Sequence, residues 1–409
     1  MKLIIITMLF SLSILGLSSQ TLNDLLQKAV ENNLELKELH SRYEAALTKA
    51  DQVSQLPQPS IGAAYPTQSP ETRLGPQVFM VSASQMFPWF GTLGSKRDVA
   101  ISMAKSDLER IAATKLELFY HIKNSYFNLS LLAEKQVILQ EELELFNVLE
   151  QVSLAKVESG KSTIADVLRV HIKMNELRDR IKILENQKID HSTKINQITN
   201  SALADTIQIN FQNDVAILSF NLDEYEKKLS LDHPMVSRIH SQIEASKQRQ
   251  LVNKGMNSPR LGLGLDYSVV DERTDADPEF NGRDILIPKA SISLPIFRKE
   301  YRGKNKEEEM TQDALEFGKQ DLISKMLASL LTQKSKYDNA IIKIDLANEQ
   351  IETTNSVYEI LLSIYSSKGE KFDELILLQD QLIKYKLDLI GSKIETHLAK
   401  AQIDRITDY

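Results

Sequence analysis

Pro59–Tyr65 (PSIGAAY) and Pro259–Tyr267 (PRLGLGLDY) are the stretches on which the fold turns. Each opens on a proline that closes a helical pattern, and each then alternates residue by residue, as a strand does. Two more landmarks recur in the same order about 200 residues apart. Gln85–Phe90 (QMFPWF) returns as Ser293–Phe297 (SLPIF), and Val157–Leu168 (VESGKSTIADVL) as Ser366–Leu377 (SSKGEKFDELIL). The chain is therefore a tandem repeat of short strands and very long helices.

The spacing predicts a first repeat over 20–200 with a helix over 21–55, strands at about 59–65 and 77–87, a long helix over 91–158, a turn at 159–163 and a helix over 162–200. A linker at 201–221, with a short strand at Thr206–Phe211, leads to a second repeat over 222–409. That repeat has a helix over 222–256, strands at about 260–270 and 285–297, a long helix over 298–367, a turn at 368–371 and a helix over 372–407. Seven-residue spacing of Ile101, Leu108, Ile122, Leu129 and Leu143, beside Ala104, Ile111, Leu118, Leu132, Leu139 and Phe146, calls for coiled-coil packing. At 1.5 Å per residue the long helices reach roughly 100 Å, matched by two shorter ones laid end to end. The fold class is mainly α with a small β part.

Lys2 followed by the apolar run Leu3–Leu17 and small residues reads as a secretory signal peptide over 1–19. No later run is long and apolar enough for a membrane helix. With no cysteine the chain has neither a disulfide framework nor the usual site for an N-terminal lipid anchor. Its net charge of -7 is spread over mixed helices, with no basic face for nucleic acid.

The strands hold the functional signal. Leu261, Leu263, Leu265, Tyr267 and Val269 share one face, and Arg260, Gly262, Gly264, Asp266 and Ser268 the other. After the acidic loop, Leu286, Ala290, Ile292, Leu294 and Ile296 oppose Lys289, Ser291 and Ser293. A soluble half-buried sheet alternates in the same way. Export, polar loops between the strands, and aromatics Phe87, Trp89 and Phe90 at the strand-to-helix junction favour an outer-membrane barrel, with Leu261, Leu263, Leu265, Leu286, Ile292 and Leu294 facing lipid. Four strands cannot close a barrel, and open edges in hydrocarbon are costly, so other copies must complete it. Three copies would supply a 12-stranded β-barrel with an aqueous interior.

The stretch Ser84–Ala100 (SQMFPWFGTLGSKRDVA) and the turns followed by ADVLRV and DELILLQ resemble the TolC family of outer-membrane efflux ducts, over nearly all of the sequence after the signal. The MFPWFG junction and short first loop look most similar to the heavy-metal cation efflux branch, the CusC/CzcC-like members. The resemblance implies a homotrimer with an outer-membrane barrel and a periplasmic α-helical barrel. It also implies a periplasmic adaptor (membrane fusion) protein and an inner-membrane pump of the resistance-nodulation-division type as partners. Many metal-efflux members carry a lipidated cysteine after the signal, which this chain lacks. By resemblance the turns at Ser159, Gly160, Lys161, Ser162 and at Lys368, Gly369, Glu370 dock the adaptor. Structurally they are helix-helix turns in which a Gly closes one helix and a Ser or Thr caps the next. Asp373, Glu374 and Asp166 lie within two turns of them and, repeated around a threefold axis, would form an anionic periplasmic gate; a solvated helix face explains each equally well.

Other chemistry is poorly supported. Gly160-Lys161-Ser162 imitates a phosphate loop, but Ala155 stands at its first glycine and no strand precedes it. The seven histidines show no ligand spacing, and the methionines are scattered. The acids of the second loop, Asp271, Glu272, Asp275, Asp277 and Glu279, lack the glycine and final acid of a calcium loop. No nucleophile, base and orienting group converge, so neither an enzyme nor a cofactor is expected. A passive heavy-metal exit duct is the leading reading. Its rivals are a duct for drug efflux or type I protein secretion, and a soluble periplasmic coiled-coil adaptor or scaffold.

Overall fold

The computed structural model describes residues 21–409, so the signal-peptide reading at 1–19 lies outside the described residues. In chain order the elements are α1 (Leu22–Asn32), α2 (Leu34–Val53), β1 (Ser60–Ala64), β2 (Glu71–Thr72), β3 (Gly75–Phe87), α3 (Thr92–Glu158), α4 (Ile164–Ile198), α5 (Leu222–Asp232), α6 (Pro234–Met256), β4 (Arg260–Val270), β5 (Ile285–Ser293), α7 (Lys299–Lys368) and α8 (Phe372–Thr407). The fold is mainly helical with one small sheet. No described helix is long and apolar enough to cross a membrane.

Contacts divide the chain into two compact units. One contains Glu117–Phe220, Leu330–Asp408 and residues 21–34. Its core has two clusters. Around the turns, Leu139, Leu143, Phe146, Val170, Met174, Leu177, Tyr365 and Leu375 pack together. Beside the linker, Leu25, Ala29, Ile122, Tyr126, Leu129, Ile195, Ile207 and Ile394 do the same. The seam residues Leu118, Ile122, Leu129, Leu132, Leu139, Leu143 and Phe146 of α3 are buried, as heptad packing requires, but toward its N-terminus Leu108 is exposed and Ile101 and Ile111 only half-buried, so the seam does not run its full length.

The other unit holds Glu35–Leu116 and Asn221–Ser329 and carries the sheet, with strand order β1-β3-β4-β5 and β2 paired to β3. Each repeat contributes a strand pair, and antiparallel pairing of β3 with β4 joins the two. The buried apolar residues of its helices include the small side chains Ala50, Ala104 and Ala245.

Three expectations need correction. The helices read over 21–55 and 222–256 are each broken after 11 residues, at Asn33 (φ -59°, ψ 127°) and His233 (φ -64°, ψ 128°). In the second repeat Pro234 at the first helical position forbids the upstream backbone bond. In the first, Asn33 leaves the helix and its side-chain amide donates to Ile198 O at 2.8 Å. The strand expected at Thr206–Phe211 is absent. That segment has no regular secondary structure, and its Asn210 carbonyl accepts from the Tyr126 hydroxyl. The last strand ends at Ser293, so Leu294 lies beyond the sheet it was expected to join. Pro295 follows, disfavouring the regular ladder.

Candidate duct wall and tip turns

The sheet is inverted relative to a soluble one. Register places Leu261 opposite Phe87 and Ile292, Leu263 opposite Gln85 and Ala290, Leu265 opposite Ala83 and Pro288, and Tyr267 opposite Val81 and Leu286. Directly opposed residues share a face, so this face is apolar across three strands apart from Gln85, whose amide donates to Pro57 O, and the Tyr267 hydroxyl, which donates to Asp284. It is also open: Leu263 is 59% exposed, Leu286 59% and Ile292 57%. On the other face Asp266 and Ser268 are 5% and 1% exposed, and Asp266 is ion-paired to Lys289. Water would favour the reverse arrangement. At the junction Phe87 ends β3, while Trp89 and Phe90 stand exposed edge to face, with centroids 5.8 Å apart.

The two turns differ although their sequences correspond. Gly160 (φ 70°) and Gly369 (φ 76°) both adopt left-handed backbone that closes a helix. A Cβ on Gly160 would meet nothing, whereas one on Gly369 would sit 2.1 Å from Lys161 O. The turns therefore touch, with Gly369 against Lys161. Lys156 Nζ also donates to Ser366 O, and buried Tyr365 donates its hydroxyl to Ser153 Oγ at 3.0 Å. The expected Ser/Thr cap does not form in the usual way. Thr163 occupies the cap position without a side-chain bond, and Ser162 donates instead to the Asp166 carboxylate. Lys371 (φ 71°) starts α8, its ammonium bonded to Glu374, which holds its pKa above the ordinary value. Lys368 ends α7, and Glu370 lies between the two lysines.

The three acids expected to form a gate are partnered within the chain. Asp166 is buried, and Arg169 reaches it at 3.2 Å and Asp373 at 2.8 Å, bridging α4 to α8. Glu374 pairs with Lys371. Arg169, three residues after Asp166 and so on the same helix face, was a readable signal. A buried cluster in the same unit was not: Glu142, 0% exposed, accepts from Gln379 and from Lys386, the latter at 2.6 Å.

The linker is clasped rather than loose. Tyr126 donates to Asn210 O at 2.9 Å and Tyr337 to Ala216 O at 2.7 Å. Asn196 donates to Asp205 O at 2.7 Å, and Ala216 N to Thr396 Oγ1 at 3.0 Å. His397 packs tilted against Phe127 and edge to face with Phe211, beside Asp214, and burial pushes its pKa down. No grouping of three or more metal-binding side chains occurs among the described residues.

The chain combines long helices with a small sheet whose apolar face is exposed. Residues 25–201 match the family model described as outer membrane efflux protein. The fold is similar to the outer-membrane channel OprN (15% identity, TM-score 0.77, covering 94% of this chain and 89% of that one). CusC gives 13% identity and TM-score 0.77, covering 95% and 92%. Neisseria gonorrhoeae MtrE, solved in its open state, gives 12% and 0.75, covering 95% and 89%. No curated protein matches the chain. Residues 25–201 are thus similar in sequence to outer membrane efflux proteins, and nearly the whole chain shares the fold of solved outer-membrane channels.

Proposed function

We propose that the chain is one protomer of a passive, homotrimeric exit duct. It is exported by its N-terminal signal and receives cargo from a periplasmic adaptor and an inner-membrane pump. The observation that carries this reading is the inverted sheet: exposed Leu263 and Ile292 on one face, buried Asp266 on the other. Lipid outside and water inside is the setting in which that arrangement is stable. The edge strands β1 and β5 each retain an unpaired side, which neighbouring copies would satisfy. Three sheets of this kind supply the twelve strands of a closed wall.

The tip turns are the proposed adaptor contact, since their exposed residues Ser159, Lys161 and Glu370 are what a docking partner meets. Asp373, Glu374 and Asp166 are the proposed gate, held through Arg169 and Lys371. Opening would exchange these bridges; the exposed pairs Lys371–Glu374 and Arg169–Asp373 are worth about 0–1 kcal/mol each. For cargo we propose heavy-metal cations, supported by the MFPWFG junction; the fold similarity to CusC is equalled by that to OprN.

The test is isolation from membranes in detergent. The duct reading expects a trimer with heat-modifiable mobility, recovered with outer-membrane lipid. A soluble monomer released by osmotic shock contradicts it and favours the periplasmic scaffold. Deletion should then raise sensitivity to heavy-metal salts; sensitivity to drugs alone would reassign the cargo.

A further inference from the structure

This inference rests on the duct reading, in which the face carrying Asp266 and Ser268 lines the lumen. Alternation from Asp266 puts Arg260, Gly262 and Gly264 on that face of β4, and register adds Ile285, Ile287, Lys289 and Ser291 of β5 with Met80, Ser82, Ser84 and Met86 of β3. The opposite face of these strands carries no charge at all. On the lumen face the charged ladder residues are Arg260, Asp266 and Lys289. Asp266 and Lys289 form an ion pair and cancel. Arg260 is exposed, stands opposite Ser293 at the end of β4 nearest α6, and forms no ion pair among the described residues.

We propose that Arg260 is a specificity-determining residue of the duct. Each copy adds one uncompensated positive charge to the barrel lumen, and the resulting ring tilts ionic preference toward anions. Low-dielectric walls focus such a field. Screening over about 8–10 Å at physiological salt makes the ring a bias and not a block, so a driven metal cargo still passes. The loop between β4 and β5 is net acidic, and the parent's absolute preference mixes both contributions. The change on substitution isolates Arg260.

The absence of cysteine makes the test direct. Arg260→Cys and Leu261→Cys, purified as trimers in bilayers, are treated with a membrane-impermeant charged thiol reagent. The proposal expects Arg260→Cys to react and Leu261→Cys to be protected. Reaction of Leu261→Cys with protection of Arg260→Cys overturns the face assignment and the duct reading with it. Reversal potentials are then measured in a tenfold KCl gradient for the parent, Arg260→Gln and Arg260→Glu. The potential should move stepwise toward the cation limit, further for Glu than for Gln. If Arg260→Cys is labelled but the potentials coincide, the duct stands and the proposed selectivity falls. Should Arg260→Glu fail to assemble, Arg260→Gln and the labelled cysteine, made negative by a sulfonate reagent or positive by an ammonium one, give the same comparison.

Discussion

The core around Phe146 and the sheet around Leu263 use similar side chains in opposite ways. In the helical unit Phe146 is 1% exposed, and the buried carboxylates Glu142 and Asp166 are each partnered, by Lys386 and Gln379 and by Arg169 and Ser162. In the sheet Leu263 is 59% exposed while Asp266 is covered. The same hydrophobic driving force produces both arrangements if the two surfaces meet different solvents: water around the helices and hydrocarbon around the strands. One chain can thus be assigned its surroundings region by region from where it leaves its apolar side chains.

Opposite substitutions sharpen the contrast. Phe146→Ala should lose about 3–5 kcal/mol through lost burial and a cavity, seen as a lower melting temperature of the helical signal. Leu263→Arg should cost roughly 2–4 kcal/mol near the bilayer midplane and show as lost trimer in the outer membrane. Normal trimer yield for Leu263→Arg would break the comparison. Within the helical unit the turns differ by less. Gly369→Ala must push against Lys161 O as well as strain its backbone, so it should cost about 2–5 kcal/mol, whereas Gly160→Ala should carry only the left-handed cost of about 1–2 kcal/mol. Equal melting shifts would deny the contact between turns.

The smallest effect should follow pH. Burial lowers the His397 pKa in the folded chain, so the unfolded chain binds the proton more readily. Its contribution is complete above the unfolded value near 6.5 and falls as pH drops below it. Protection of the linker amides at 201–221, taken relative to their intrinsic exchange rate, should therefore fall on acidification in the parent. His397→Phe should flatten that response.

Much of the fold was legible because prolines, glycines and alternation mark strand ends locally. Pro59 and Pro259 each stand one residue before a strand, and Gly91 and Gly369 bound the long helices. What escaped depends on tertiary partners. The break at Asn33 has no proline to announce it, and the linker reads as a weak strand because its hydrogen bonds come from Tyr126, Tyr337 and Thr396, far away in sequence. Leu294 continues the alternation of β5 by one residue, yet Pro295 ends the ladder first. The turn residues were readable as turns. Their inequality was not, since only the packing of Gly369 against Lys161 distinguishes them.

The central claim, that the apolar face of the sheet meets lipid, is tested most directly by spin labels at Leu263 and Gly264 in the reconstituted trimer. Accessibility is compared between oxygen, which concentrates in hydrocarbon, and a water-soluble nickel complex. The account predicts that position 263 is relaxed by oxygen and ignored by nickel, with the preference reversed at 264. Relaxation by nickel at both positions would contradict it.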